Sequence, residues 1–334
     1  MHAETDARFT IRRYQRGDET AILDLFNRSF HQARSLEHWR WKYEDDPYGG
    51  ERISVAFQSG GPLVGHYAGY PVAFQRDGSE IVAHQIGDTM TDRSVRHIGR
   101  GPTSVLGQTA LHFYETFCES QVAFNYGFNV HNIQKFSLRF LRSDRVESVA
   151  YRYRDLRSSP LRRLNRLERY ARGIHLELVR ETSGEWDELF TRVAHHYGFL
   201  VRRDVRYVKW RYLSRPDVAY IVVAMRKWRR LAGWIVFQIR EKRMSIGDLL
   251  IDPDHVDVLE AALRHLTAVY PVEAIEMWCP PRPKWIAEAM DSLRLELRPE
   301  PQDLSVMCVP FLDADAPSHI RESLFYTMGD GDLF

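Results

Sequence analysis

The residues best equipped for chemistry lie between positions 88 and 102. They read Asp88-Thr89-Met90-Thr91-Asp92-Arg93-Ser94-Val95, then Arg96-His97-Ile98-Gly99-Arg100-Gly101-Pro102. The run Glu80–Thr91 predicts a strand. From Pro102 to about Cys118 a helix is predicted, with Leu106, Ala110, Phe113 and Phe117 on one face at helical spacing. The loop between them therefore opens a helix. Its N–H groups around His97–Gly101 converge at the partially positive end of that helix. Glycines at 99 and 101 let the main chain approach phosphate oxygens with no Cβ in the way. Arg96 and Arg100 add charged donors. A pyrophosphate is the ligand this pattern suits, and a tight turn with no ligand is the plainer alternative.

The elements that must position this loop can be read outward from it. A strand is predicted over Phe9–Tyr14. Asp18 then stands to cap a helix carrying Ala21, Ile22, Leu25, Phe26 and Phe30. A short helix with Trp39, Trp41 and Tyr43 must stop before Pro47. Strands follow at Ile53–Gln58 and Leu63–Gln75, turning at Gly60-Gly61. After the loop and its helix come a strand (Val122–Tyr126), a helix (about Asn132–Leu141) and a last strand (Val146–Tyr153). Arg152–Arg172 holds eight arginines against Asp155 and Glu168. It reads as a strand end and a solvated linker helix, with an anion or nucleic-acid groove as the other reading of its charge.

Beyond residue 174 the same order returns. Trp41-Lys42-Tyr43 with Pro47 is echoed by Trp210-Arg211-Tyr212 with Pro216. Ile86-Gly87-Asp88 through Asp92 is echoed by Ile246-Gly247-Asp248 through Asp252, and Lys135-Phe136 by Lys284-Trp285. Three matches in one order indicate an internal duplication. The length of 334 residues suits two domains: 1–156, a linker helix at 157–173, and 174–334. A net charge of +1 announces neither nucleic acid nor an anionic membrane. Three scattered cysteines fit a reducing compartment and no disulfide or zinc framework. Met1–Gln15 lacks the apolar run of a secretory leader, and no stretch is long enough to span a bilayer. The expectation is a cytoplasmic protein.

The segment from Asp88 to Pro102 resembles the acyl-coenzyme A loop of the GCN5-related N-acetyltransferase (GNAT) superfamily, Gln/Arg-x-x-Gly-x-Gly/Ala after the fourth strand. The resemblance extends over nearly the whole chain as a tandem arrangement, most specifically over Phe9–Asp144. It implies an α/β (α+β) fold of two GNAT-like domains, each a mixed, mostly antiparallel sheet flanked by helices. It also implies that the main chain of Thr89, Met90 and Thr91 pairs with the pantetheine arm, that Arg96–Pro102 holds the pyrophosphate, and that Asn132 contacts the cofactor. In the second half, Pro253-Asp254-His255-Val256-Asp257 replaces the glycines and arginines. Asp254 and Asp257 would repel a pyrophosphate, so that copy keeps the fold and loses the ligand.

Many relatives use a tyrosine on the late helix as general acid. Here Arg139 stands in its place, and Ser143-Asp144 stands where a Gly-Phe pair is usual. Remaining candidates are Asp88 as base or turn cap, and Tyr126 as proton donor or half-buried packing residue. His84 and His112 titrate in a useful range but read as structural. The resemblance also suggests that a Phe334 carboxylate reaches the first domain's active site, Gly329 and Gly331 allowing the bend. Trp39, Trp41, Tyr43 and Tyr48 could wall an acceptor site, although their echo in Trp210 and Tyr212 favours a packing role.

The function so reached is transfer of an acetyl or longer acyl group from acyl-CoA to an amine of a small acceptor, such as an amino sugar or amino acid derivative. Two alternatives stand beside it: a non-catalytic acyl-CoA-binding regulatory module, and a Fem-like transferase that takes its group from aminoacyl-tRNA. Nucleic acid and membrane are not expected partners. A homo-oligomer is compatible with the sequence.

Overall fold

The computed structural model describes residues 8–334, apart from the side chains of His131, Asn132 and Arg166. Its contacts divide into two units, each assembled from separate chain segments. The first contains β1 (Phe9–Arg13), α1 (Glu19–Phe30), α2 (Leu36–Tyr43), β2 (Arg52–Gln58), β3 (Leu63–Arg76) and β4 (Ser79–Thr91), followed by α3 (Val105–Phe117), β5 (Phe124–Asn129), α4 (His131–Phe140) and β6 (Asp144–Ser148). Burial of Ile22, Leu25 and Phe26 on one stripe sets α1 against the sheet. Ser35 starts α2 by accepting from the His38 N–H at 3.0 Å. Asp18 precedes α1 without a side-chain cap; its carboxylate is taken by Arg12 instead.

The second unit contains β7 (Tyr151–Asp155), α5 (Arg166–Ala171), β8 (Ile174–Leu178), α6 (Glu185–Tyr197), β9 (Phe199–Val201) and α7 (Val205–Val208), which runs into a π-helical turn at Lys209–Leu213. Next come β10 (Ile221–Lys227), β11 (Arg230–Arg240), β12 (Arg243–Ile251), α8 (Asp257–Val269), β13 (Ala274–Trp278), α9 (Lys284–Ser292) and β14 (Glu296–Arg298). The chain then gives β15 (Ser305–Pro310) to the first unit, and ends through α10 (Ala316–Ser323) and β16 (Leu324–Phe325).

Strand order in the first unit is β1-β2-β3-β4-β5-β15-β6, and in the second β14-β7-β13-β12-β11-β10-β8. Each sheet has one central parallel pair, β4 with β5 and β12 with β13. The expected fold class, two mostly antiparallel sheets flanked by helices, is the one observed. The path of the chain differs from the expected 1–156, 157–173 and 174–334. Val146–Tyr153 is two strands rather than one, β6 in the first sheet and β7 in the second. The hairpin tip Phe74–Glu80 also counts with the second unit, where Phe74–Arg76 pair antiparallel with β9.

The echo between the two halves extends to individual bonds. In the first unit the Tyr43 hydroxyl donates to Asp88 Oδ2 at 2.8 Å, and in the second the Tyr212 hydroxyl donates to Asp248 Oδ2 at 2.7 Å. Arg28 Nε donates to Asp92 at 3.1 Å, and Arg192 Nε to Asp252 at 3.0 Å. Each arginine also reaches the first carbonyl of the same hairpin strand, Leu63 or Leu231.

The arginine run is not one solvated face. Arg152 is 1% exposed, and its guanidinium donates to the Cys279 and Leu295 carbonyls and to Asp291. Arg154 is likewise buried against Leu293 and Ser159. Both lie in β7, where the guanidinium groups satisfy carbonyls that strand pairing leaves over.

Candidate acyl-donor site

Strands β4 and β5 pair in parallel at His84–Asn125 and Gln85–Tyr126, and no recorded pair joins them beyond that point among the described residues. The separation follows a change in β4. Asp88 has a left-handed backbone, φ 50°, a conformation aspartate tolerates better than most residues. The neutral ring of His66 holds this backbone kink by donating from Nδ1 to the Asp88 carbonyl at 2.7 Å. Burial pushes the His66 imidazole down to about 4, so it stays uncharged at neutral pH.

The loop after β4 is built by short local bonds. Asp92 caps a single turn at Arg93–Val95 by accepting from the Ser94 N–H at 3.0 Å. Arg96 Nε donates back to the Thr91 carbonyl at 3.0 Å. Gly99 has φ 70° and packs so closely on Thr103 that a Cβ would lie 2.3 Å from its carbonyl oxygen. A further turn at Gly101–Thr103 leads to Ser104, whose Oγ caps α3 by accepting from the Gly107 N–H at 3.1 Å. The helix thus begins at Val105, three residues later than the sequence suggested.

These pieces enclose a cavity of about 550 Å³. Of the residues expected to bind cofactor, Thr89, Thr91, Arg96, Gly99, Arg100 and Gly101 line it. His97 and Pro102 are exposed parts of the loop. Ile98 packs against the cluster of Phe9, Val95 and Val105. The Met90 side chain is turned into the core beside Trp39 and Tyr43, leaving its main chain for any pairing. Asn132 falls in the first turn of α4, and its side chain lies outside the described residues. The sequence reading missed Ser104, Leu106, Ile133, Phe136 and Phe140, which form the other wall. The helical spacing of Ile133, Phe136 and Phe140 on α4 was the available signal.

Neither Arg96 nor Arg100 has a carboxylate partner among the described residues, so both cations remain available at the helix start. Gly107 fixes α3 against the loop, since a Cβ there would sit 2.2 Å from the Gly101 carbonyl oxygen. Because that neighbour is main chain, Gly107→Ala must displace the loop. Overpacking of this kind costs about 1–3 kcal/mol. The expected result is a lower thermal midpoint by circular dichroism together with weaker CoA binding; an unchanged midpoint would show that the loop yields freely.

Asp88 is engaged from several sides. Its Oδ2 accepts from Lys42 Nζ at 2.9 Å, the Tyr43 hydroxyl at 2.8 Å and Arg34 at 2.5 Å. Burial alone would raise its pKa, but Lys42 and Arg34 outweigh it and hold the carboxyl below its usual range. A carboxylate so stabilised is a weak proton acceptor. Tyr126 is 3% exposed and lines a small cavity at the β4–β5 fork with Tyr67, Tyr114 and Ser137. Phe334 lies in the second unit. Its main-chain oxygen accepts from Arg211 at 3.1 Å and Arg215 at 2.5 Å, and its ring fills the notch over Gly247. His84 and His112 are buried or half-buried, and their pKa values are lowered, mainly by desolvation. The three cysteines are buried, and desolvation raises the Cys118 and Cys279 thiols to about 12, which removes them as nucleophiles.

Residues 10–138 match the family model described as an acetyltransferase (GNAT) domain. Solved structures extend the likeness in fold to the rest. A GCN5-related N-acetyltransferase from Kribbella flavida superposes with TM-score 0.65 at 13% identity, over 92% of this chain and 72% of that one. A protein from Enterococcus faecalis V583, described as a probable N-acyltransferase, gives TM-score 0.65 at 12% identity over 91% and 71%. Saccharomyces cerevisiae N-myristoyltransferase, solved with myristoyl-CoA, gives 0.57 at 10% identity over 92% and 84%. No curated protein sequence matches. Among the described residues, no helix is long and apolar enough to cross a membrane.

Proposed function

We propose that the chain is an acyl-CoA-dependent acyltransferase whose first unit binds the donor and passes its acyl group to an amine of a small acceptor. The observation that carries this reading is the pair of unmatched arginines, Arg96 and Arg100, on a glycine loop opening a 13-residue helix beside a 550 Å³ cavity. Two uncompensated cations at a helix N-terminus suit a polyanion such as a pyrophosphate. The diverging main chain of Thr89–Thr91 offers N–H and C=O groups to the pantetheine amides, and the fork between β4 and β5 receives the thioester.

Transfer forms a carbon–nitrogen bond and breaks the carbon–sulfur bond. The amine loses a proton and the departing sulfur gains one. Tyr126, at the fork, is the candidate to supply that proton. Asp88, locked by Lys42 and Arg34, is the candidate to fix the kink in β4 rather than to accept the amine proton. The expected result for Tyr126→Phe is turnover lower by roughly 100-fold with acetyl-CoA affinity unchanged, as loss of a general acid predicts. Equal loss of binding would mark Tyr126 as packing.

A titration of the full chain with acetyl-CoA and CoA tests the donor assignment directly. Micromolar binding followed by turnover on an amine panel supports it. Binding without turnover would favour the non-catalytic module, to which Arg139 in the usual tyrosine place already points. The aminoacyl-tRNA reading rests on an arginine run from which Arg152 and Arg154 are consumed inside the second unit, while Arg157, Arg162, Arg163 and Arg172 stay exposed.

A further inference from the structure

We infer that the second unit carries a binding site for a neutral, hydroxylated ring such as a monosaccharide or the sugar of a nucleoside. A cavity of about 420 Å³ opens on its sheet, within the size range of small-molecule pockets. Its floor is a polar row across three adjacent central strands: Gln238 on β11 pairs with Ser245 on β12, which pairs with Glu276 on β13. Central strands ordinarily present apolar side chains to a core. Three polar ones in register therefore call for partners.

Glu276 is already provided for. Its Oε2 accepts from the Tyr151 hydroxyl at 2.8 Å and from Arg243 at 3.3 Å, and its Oε1 from Ser245 Oγ at 2.7 Å. Gln238 is not. It is 8% exposed and lines the cavity, and its side-chain amide makes no hydrogen bond to the described residues. Its amide opens on the cavity, where it offers both a donor and an acceptor to a ligand or water.

The charge balance narrows the ligand class. The lining sets Arg240 and Arg243 against Glu241, Glu276 and Glu300; at the floor an incoming ammonium would have to displace Arg243 from Glu276, and an incoming carboxylate would be set against Glu276 itself. A hydroxyl meets neither penalty, because it can donate to and accept from the Gln238 amide in turn. The walls supply the rest: Trp278 and Phe334 present ring surface to the apolar face of a sugar. Phe334 is set in place by the open notch at Gly247, where a Cβ would fall 1.7 Å from its ring.

The site is independent of the acyl-donor loop, and saturation-transfer NMR on the full chain tests it with glucose, ribose and uridine as probes, and spermidine and citrate as charged controls. Signal from at least one hydroxylated probe, with none from the controls, is expected. Gln238→Leu, close to isosteric, should weaken that binding about tenfold, the equivalent of one or two lost hydrogen bonds. Ser245→Ala, which removes one oxygen and adds no volume, is the second variant should Gln238→Leu fold poorly, and it should weaken binding in the same direction. Acetyl-CoA titration should be unchanged in both variants. Silence from every hydroxylated probe, preference for spermidine or citrate, or wild-type binding by the folded variants would overturn the assignment. Glucose and ribose without uridine, or the reverse, would tell a sugar site from a nucleoside site.

Discussion

Replacing Arg96 and Arg100 together with alanine is expected to weaken acetyl-CoA binding by about 100-fold. Charge-assisted hydrogen bonds are worth about 1.5–3 kcal/mol each. Both arginines are exposed at the helix start, so the lower figure applies, and two such losses correspond to about two decades in affinity. The thermal midpoint should not move, because among the described residues Arg100 makes no side-chain bond and Arg96 makes one, to the Thr91 carbonyl. Binding by the wild type should also weaken with added salt, and that dependence should be smaller in the double variant. An unchanged Kd by calorimetry would reduce the loop to a turn and leave the donor site without its main support.

The largest stability effect is expected at Arg203. This arginine is fully buried, and it donates to Asp248 at 2.8 Å and to Asp330 at 2.6 Å. Removing it in Arg203→Met leaves two carboxylates facing each other away from water. Breaking a buried ion pair in this way costs about 3–5 kcal/mol. One guanidinium cannot neutralise both acids. Burial pushes the Asp330 carboxyl up, Arg203 pulls it down and Asp248 pushes it up again, leaving it at about 6. The native state therefore keeps a proton that the unfolded chain releases near pH 4. Its contribution to stability is greatest below the ordinary carboxyl range and is lost as pH rises to about 6, by an amount on the order of 3 kcal/mol. Chemical denaturation from pH 4.5 to 7.5 should show the difference between wild type and Asp330→Asn changing over that window. A difference independent of pH would mean that Asp330 is ionised throughout.

What the sequence revealed and what it concealed divide along a physical line. The loop from Asp92 to Ser104 is held by bonds between residues a few positions apart, so its residue types alone announced it. The element order and the echo of Tyr43 and Asp88 in Tyr212 and Asp248 were legible for the same reason. Nothing local shows that Arg34, Lys42 and His66 converge on Asp88, because they come from the α1–α2 loop, α2 and β3. Arg152 and Arg154 looked like surface charge because nothing local shows that their strand enters a sheet made of later residues. Pairing of β7 with β13 and of β15 with β5 leaves no trace in periodicity, since an exchanged strand alternates exactly as an unexchanged one does.

That exchange has a consequence during synthesis. Ser143 on the β6 edge meets the Cys308 carbonyl on β15, 165 residues further on. A chain emerging from the ribosome can form the donor loop and its helix early, but the first sheet keeps an open slot between β5 and β6 until the last strand arrives. Its unpaired edges then await a partner for most of translation, which is the interval in which a chaperone or a neighbouring nascent chain has access to them. Strand exchange thus leaves the first sheet incomplete until residues 305–310 have been made.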